Sequence, residues 1–183
     1  VGVGLLGGSF SLGLQSVEEG HHFIGVDINE DHCATALELG IVHEICTLDD
    51  ALAKSDLVVL ATPVNVIKWQ LPYCLDRIPD SSVLIDLGST KATFNGHVER
   101  HPRRSRYVSC HPIAGTENSG PAEAFPGLLK NKMMIICDKD SSDEDALNLV
   151  LQKVKKLEMR LHFMEAKQHD RHIAYVSHLS HIS

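Results

Sequence analysis

A histidine closing an apolar run, in His111-Pro112-Ile113-Ala114-Gly115-Thr116-Glu117-Asn118-Ser119-Gly120, and a glycine loop at the start of the chain are the residues whose types and spacing suggest shared chemistry. Gly2-Val3-Gly4-Leu5-Leu6-Gly7 has the pattern G-x-G-x-x-G. The first glycine permits a tight turn, the second lets backbone approach a pyrophosphate, and the third allows a helix to pack closely. Asp27 ends an apolar run 20 residues beyond Gly7, where its carboxylate can accept hydrogen bonds from an adenosine ribose. No lysine or arginine follows in Ile28-Asn29-Glu30-Asp31, so the site favours NAD over NADP. A plain packing turn is the alternative for the glycines, and capping the helix that starts at Glu30 is an additional structural role open to Asp27. With an unperturbed pKa of about 6.5, an imidazole can take a hydroxyl proton near neutral pH while a hydride departs to a nicotinamide.

Two further stretches sit where strands end. Ala61-Thr62-Pro63 and Asp86-Leu87-Gly88-Ser89-Thr90-Lys91 follow apolar runs, and open α/β sheets bind ligands at the carboxyl ends of their strands. Thr62 and Pro63 are thereby candidate cofactor residues. The Ser89 hydroxyl can donate and accept at once, which suits a bridge between a substrate hydroxyl and His111; alternatively it caps a helix from Thr90. His111 is expected on a loop held by Pro112, with Thr116 and Glu117 among small and polar neighbours that a closely approached substrate needs. A solvated surface histidine is the competing reading. His178 and His181 share a helix face with Arg171, but no third ligand lies at suitable spacing, so no metal is expected.

The elements that must position these residues follow from the pattern. Apolar runs at 22–27, 56–61, 82–87, 106–110, 132–137 and, more weakly, 159–164 alternate with helical stretches at 6–18, 30–39, 64–77, 90–100 and 142–157. A short helix capped by Asp49 and Asp50 is also expected. This is the pattern of parallel strands joined by crossover helices. The fold class is α/β, a doubly wound, mostly parallel Rossmann sheet over residues 1–164, followed at 165–183 by the first helix of a helical second domain. Only Val1 precedes Gly2, and Ser183 falls inside a helical pattern, so the chain reads as a fragment.

With 183 residues and 43% apolar content the chain can bury a core. A net charge of −7 and a pI near 5.9 give no footprint for nucleic acid. The one basic cluster, Arg100 to Arg106, is expected to be a solvated loop. Five cysteines without a Cys-x-x-Cys pair fit reduced, mostly buried thiols of a cytoplasmic protein. No apolar stretch approaches the roughly 18 residues of a membrane span.

Taken together, Asp86 to Lys91, the His111 to Gly120 loop and the stretch His169-Asp170-Arg171-His172-Ile173-Ala174-Tyr175-Val176-Ser177-His178-Leu179-Ser180-His181 resemble the nucleotide-binding part of the prephenate dehydrogenase family of tyrosine biosynthesis. The family usually has proline where this chain has Ser180. The resemblance implies NAD-dependent oxidative decarboxylation of prephenate, with His111 taking the ring-hydroxyl proton and Ser89 orienting hydroxyl and imidazole. It further implies that His169 and His181 line the substrate pocket and that Thr116 and Glu117 support its wall. A homodimer formed through the helical domain, and a substrate-gripping arginine from that domain, are also implied. Arogenate dehydrogenase of the same fold is the nearest alternative, and a non-catalytic NAD-sensing module the more distant one.

Overall fold

The computed structural model describes the backbone of residues 1–180 and the side chains of residues 1–175. Its strands are β1 (Ile24–Gly25), β2 (Glu44–Ile45), β3 (Leu57–Leu60), β4 (Val83–Asp86), β5 (Tyr107–Ile113), β6 (Met133–Cys137) and β7 (Arg160–Met164). The helices are α1 (Leu5–Gln15), α2 (Glu30–Glu38), α3 (Leu48–Lys54), α4 (Val64–Leu75), α5 (Ala92–Val98), α6 (Glu144–Lys156) and α7 (Ala166–Ser180).

β1 and β2 pair in parallel, and β3-β4-β5-β6-β7 form a second ladder in that order. Extended residues at the chain start bridge the two. The Val1 amine donates to the Val59 carbonyl and the Ala61 amide to the Val1 carbonyl, while the Gly2 amide donates to Val26. Among the described residues only β5 and β6 pair antiparallel; the other pairs run parallel, as crossover helices require.

Both sheet faces are covered, so the central strands are apolar throughout rather than alternating. On one face Val83, Ile85, Val108 and Cys110 pack with Phe10 and Leu14 of α1 and Val150 and Val154 of α6. On the other, Leu84 and Tyr107 pack with Ile67 and Leu71 of α4 and Phe94 and Val98 of α5. Full burial of each such side chain contributes about 1.5–3 kcal/mol, which is what holds the strand ends in register.

Several local expectations need correction. Helix α2 is capped by Asn29, whose side chain accepts from the Asp31 and His32 amides, and not by Asp27. Thr47 caps α3 by accepting from the Asp50 amide, in place of Asp49 or Asp50. Helix α5 begins at Ala92 rather than Thr90, and Ser89 does not cap it. The basic cluster is not a solvated loop: Arg104 is buried and donates to the Tyr107 carbonyl, and Arg106 pairs with Asp143 and Asp145.

A cavity of about 520 Å³ lies between β1 and β3, beside Val1 and lined by Phe23, Val26, Leu52 and Val59. Its walls are strand edges and core side chains, and neither His111 nor Ser89 touches it.

Candidate active site

The glycine turn is built as its residue types demand. Gly2 has φ +82°, and a Cβ there would come within 2.8 Å of the Ala61 carbonyl carbon. At Gly7 a Cβ would stand 2.1 Å from the Gly2 carbonyl oxygen. Backbone contact with the end of β3 and with the turn itself therefore explains both positions. Gly4 differs, because a Cβ there meets nothing within 4 Å. It caps α1 with no side-chain bond, no acidic residue lies in the first turn, and Leu5 and Leu6 open the helix. The first amides of a helix lack intrahelical acceptors and carry the positive end of its dipole, so the space over Gly4 is an anion site of the right shape for a pyrophosphate.

Asp27 is tied to the same turn. Its Oδ2 accepts from the Val3 amide at 3.0 Å and its Oδ1 from the Asn29 amide at 2.9 Å. These bonds hold the carboxylate beside the turn, and each oxygen keeps a lone pair for a ribose hydroxyl. Thr62, one residue past the Ala61 that faces Gly2, donates to Gln70 Oε1 at 2.6 Å, and the exposed Pro63 caps α4. Gly2, Gly4, Leu5, Leu6, Gly7, Asp27 and Thr62 thus come together, with Pro63 next in the chain, and the residues fit a dinucleotide.

His111 is not on a loop. Strand β5 continues through Ile113, and His111 stands opposite Ile135 of the antiparallel β6, with Pro112 opposite Met134. A proline lacks only the amide, so a strand end where its nitrogen faces away from the ladder tolerates it. His111 lies two residues beyond Ser109, the last residue of β5 paired with β4, and so at the carboxyl edge of the parallel sheet. Ser89 is exposed, three residues past the end of neighbouring β4. Thr116 and Glu117 are exposed on the segment after β5, with the Thr116 hydroxyl accepting from the Asn118 amide at 3.1 Å.

Burial shapes the imidazole. His111 is 9% exposed, and its pKa is pushed down to about 3. Loss of solvent is the main cause; the Lys91 ammonium and the His169 ring add to it, and Asp170 opposes them. The ring is therefore neutral at pH 7. Its Nδ1 lies 2.8 Å from His169 Nε2, and His169 Nδ1 lies 2.8 Å from Asp170 Oδ1. Among the described residues Asn95 Oδ1 is a buried side-chain polar atom without a hydrogen bond, while Arg103 Nη2 faces Asp80 Oδ1 at 3.1 Å. His111 Nδ1 is engaged by His169, and its Nε2 has no hydrogen-bond partner among the described residues.

This geometry corrects one expectation. His169 is fully buried with both ring nitrogens engaged, so it backs His111 and does not line a pocket. His181, and the side chain of His178, lie outside the described residues. Asp170, which sequence reasoning left without a role, accepts from the Lys91 and Ala92 amides at 2.8 and 2.9 Å and so caps α5. Its position immediately after His169 was the available signal.

Lys91 is the other unexpected member. Its ammonium is completely buried, bonded to Asp86 Oδ2 and, at 2.5 Å, to the Cys110 carbonyl just before His111. Asp86 also accepts from the Tyr107 hydroxyl at 2.7 Å and the Gly88 amide at 2.9 Å, so its charge is fully solvated by protein. Among the described residues no group of three or more histidines, cysteines or carboxylates could hold a metal. Among the described residues no helix is long and apolar enough to cross a membrane.

The chain is similar to known proteins. The family model described as the prephenate dehydrogenase nucleotide-binding domain matches residues 10–163. The chain is 28% identical over 188 residues to prephenate dehydrogenase of Bacillus subtilis (strain 168), spanning 99% of this chain and 50% of that protein. It is also 28% identical over 151 residues to cyclohexadienyl dehydrogenase of Zymomonas mobilis, spanning 81% of this chain and 50% of that protein. The crystal structure of prephenate dehydrogenase from A. aeolicus in complex with hydroxyphenyl propionate and NAD+ superposes with a TM-score of 0.85 at 29% identity, covering 92% of this chain and 59% of that one. The chain spans about half the length of the curated relatives it matches.

Proposed function

The chain belongs to the family of prephenate dehydrogenase nucleotide-binding domains, and we propose that it provides the NAD site and the general base for oxidative decarboxylation of prephenate to 4-hydroxyphenylpyruvate. The observation that carries this reading is a neutral His111, its Nδ1 engaged by His169 and its Nε2 without a partner among the described residues, at the sheet edge that also holds the Gly2–Gly7 turn. The α1 amides beside Gly4 hold the pyrophosphate, and Asp27 accepts from the adenosine ribose and repels a 2′-phosphate. When bound, NAD supplies the hydride acceptor. His111 Nε2 takes the proton of the ring hydroxyl as the hydride leaves the same carbon, and loss of the ring carboxylate as carbon dioxide completes the aromatic ring. The Ser89 hydroxyl, exposed at the end of β4, orients the substrate hydroxyl toward that nitrogen.

Replacing His111 by Asn tests the assignment. NAD affinity stays within about twofold, while turnover falls by the 10²- to 10⁴-fold typical of a lost general base. Unchanged turnover would show that another group takes the proton. Prephenate and arogenate share the ring and differ at the side chain, so His111→Asn impairs both, and relative rates on the two purified substrates fix the physiological one.

A further inference from the structure

We infer that Asp170 and His169 form a relay that fixes which nitrogen of His111 is bare and carries the abstracted proton toward solvent. The inference rests on the general-base reading above and concerns how that base is set.

The direction of the relay follows from hydrogen-bonding capacity. An ionised carboxylate only accepts, so His169 must donate to Asp170 Oδ1 from Nδ1 across 2.8 Å. A singly protonated His169 ring then has its lone pair on Nε2, and the 2.8 Å contact requires His111 to donate from Nδ1. The lone pair of His111 is thereby left on Nε2. Two features hold the carboxylate still: the Lys91 and Ala92 amides bind its two oxygens, and α7 is anchored where the Ala166 amide donates to Asp138 Oδ1 at 2.9 Å.

The charges around His111 make such a path useful. Lys91, from the segment before α5, disfavours an imidazolium; Asp86 of β4 neutralises that ammonium at a greater remove. Cys110 on β5 and Cys137 on β6 are buried thiols held neutral by loss of solvent, with Cys137 pushed up to about 12. Asp170 favours positive charge at His111. A proton resting on His111 is therefore repelled by Lys91 and drawn toward Asp170. As the substrate O–H bond breaks and a new N–H bond forms at His111 Nε2, the proton on His111 Nδ1 passes to His169 Nε2. The proton on His169 Nδ1 passes in turn to Asp170 Oδ1. The Asp170 side chain is 27% exposed, so water removes that proton; once product has left, His111 Nε2 gives its proton to water and one returns from water through Asp170 and His169 to His111 Nδ1, which restores the start.

The test begins with the unmodified protein, labelled with ¹⁵N at histidine and free of substrate. Long-range ¹H–¹⁵N correlations are expected to show His111 protonated on Nδ1 and bare on Nε2; the opposite tautomer would overturn the relay. In Asp170→Asn, kcat is expected to fall at least tenfold with NAD affinity and KM within about threefold, and the acid limb of the pH profile to move to lower pH. Wild-type kcat in this variant, or a loss of kcat with an unmoved acid limb, would also overturn it. Failure of the base assignment is distinguishable, since it shows as an active His111→Asn variant whatever the tautomer.

Discussion

Gly4→Ala separates the nucleotide role of the glycine turn from its structural role. A Cβ at Gly4 meets nothing within 4 Å, and φ −71° with ψ −159° is open to alanine. Alanine is a poorer helix N-cap than glycine, so the expected loss of stability is within about 1 kcal/mol. The added methyl, however, occupies the space over the first α1 amides. Displacing a phosphate there weakens at least one charge-assisted hydrogen bond, about 1.5–3 kcal/mol, or a roughly tenfold to hundredfold higher Kd for NAD. Thermal unfolding with and without NAD reads both effects. At a concentration 100 times the wild-type Kd, NAD stabilises the wild type by about 2.7 kcal/mol and the variant by roughly 0.4–1.4 kcal/mol. Gly7→Ala is the contrasting control, because its Cβ would lie 2.1 Å from the Gly2 carbonyl oxygen and the fold itself must move. A Gly4→Ala protein with wild-type Tm and wild-type NAD affinity, measured calorimetrically, would refute the reading of this turn as a phosphate cradle.

Lys91→Met leaves Asp86 charged and unpaired where both side chains are completely buried, so unfolding in denaturant should show a loss of about 3–5 kcal/mol, partly recovered when Asp86→Asn is added. Acid stability follows from His111. Its pKa is about 3 in the folded chain against about 6.5 when unfolded, so below pH 6.5 the unfolded state binds the extra proton and stability falls until about pH 3. Unfolding free energies from denaturant titrations at pH 7.5 and 4.5 should therefore differ less in His111→Asn than in the wild type, by on the order of a few kcal/mol at most; an identical pH dependence would contradict the depressed pKa.

Local chemistry was legible before any coordinates. The glycine spacing, Asp27 at the end of its strand and the alternation of apolar runs each depend on near neighbours in the chain, and all three recur in the fold. His111 was legible by type and setting, yet its place in β5 was not, because Pro112 reads as a loop residue and only pairing with β6 extends the strand past it. Arg104 was misjudged, and Lys91 left without a role, for one physical reason. Long cationic side chains default to solvent, and only the Tyr107 carbonyl for one and Asp86 for the other reverse that cost. The contact between His111 and His169 joins residues 58 positions apart, so nothing in local spacing announces it. Its trace in the sequence is confined to the adjacency of His169 and Asp170.

The carboxylate at Asp170 closes the start of one helix while steering a ring on another, which makes α7 part of the aiming apparatus of the sheet. A slip of α7 by a single residue, about 1.5 Å along its axis, would stretch a 2.8 Å contact beyond bonding range. Molecules with that helix out of register would still capture dinucleotide at the Gly2–Gly7 turn yet stand chemically idle. In such molecules nucleotide occupancy would count every folded chain, whereas turnover would count only those with α7 seated.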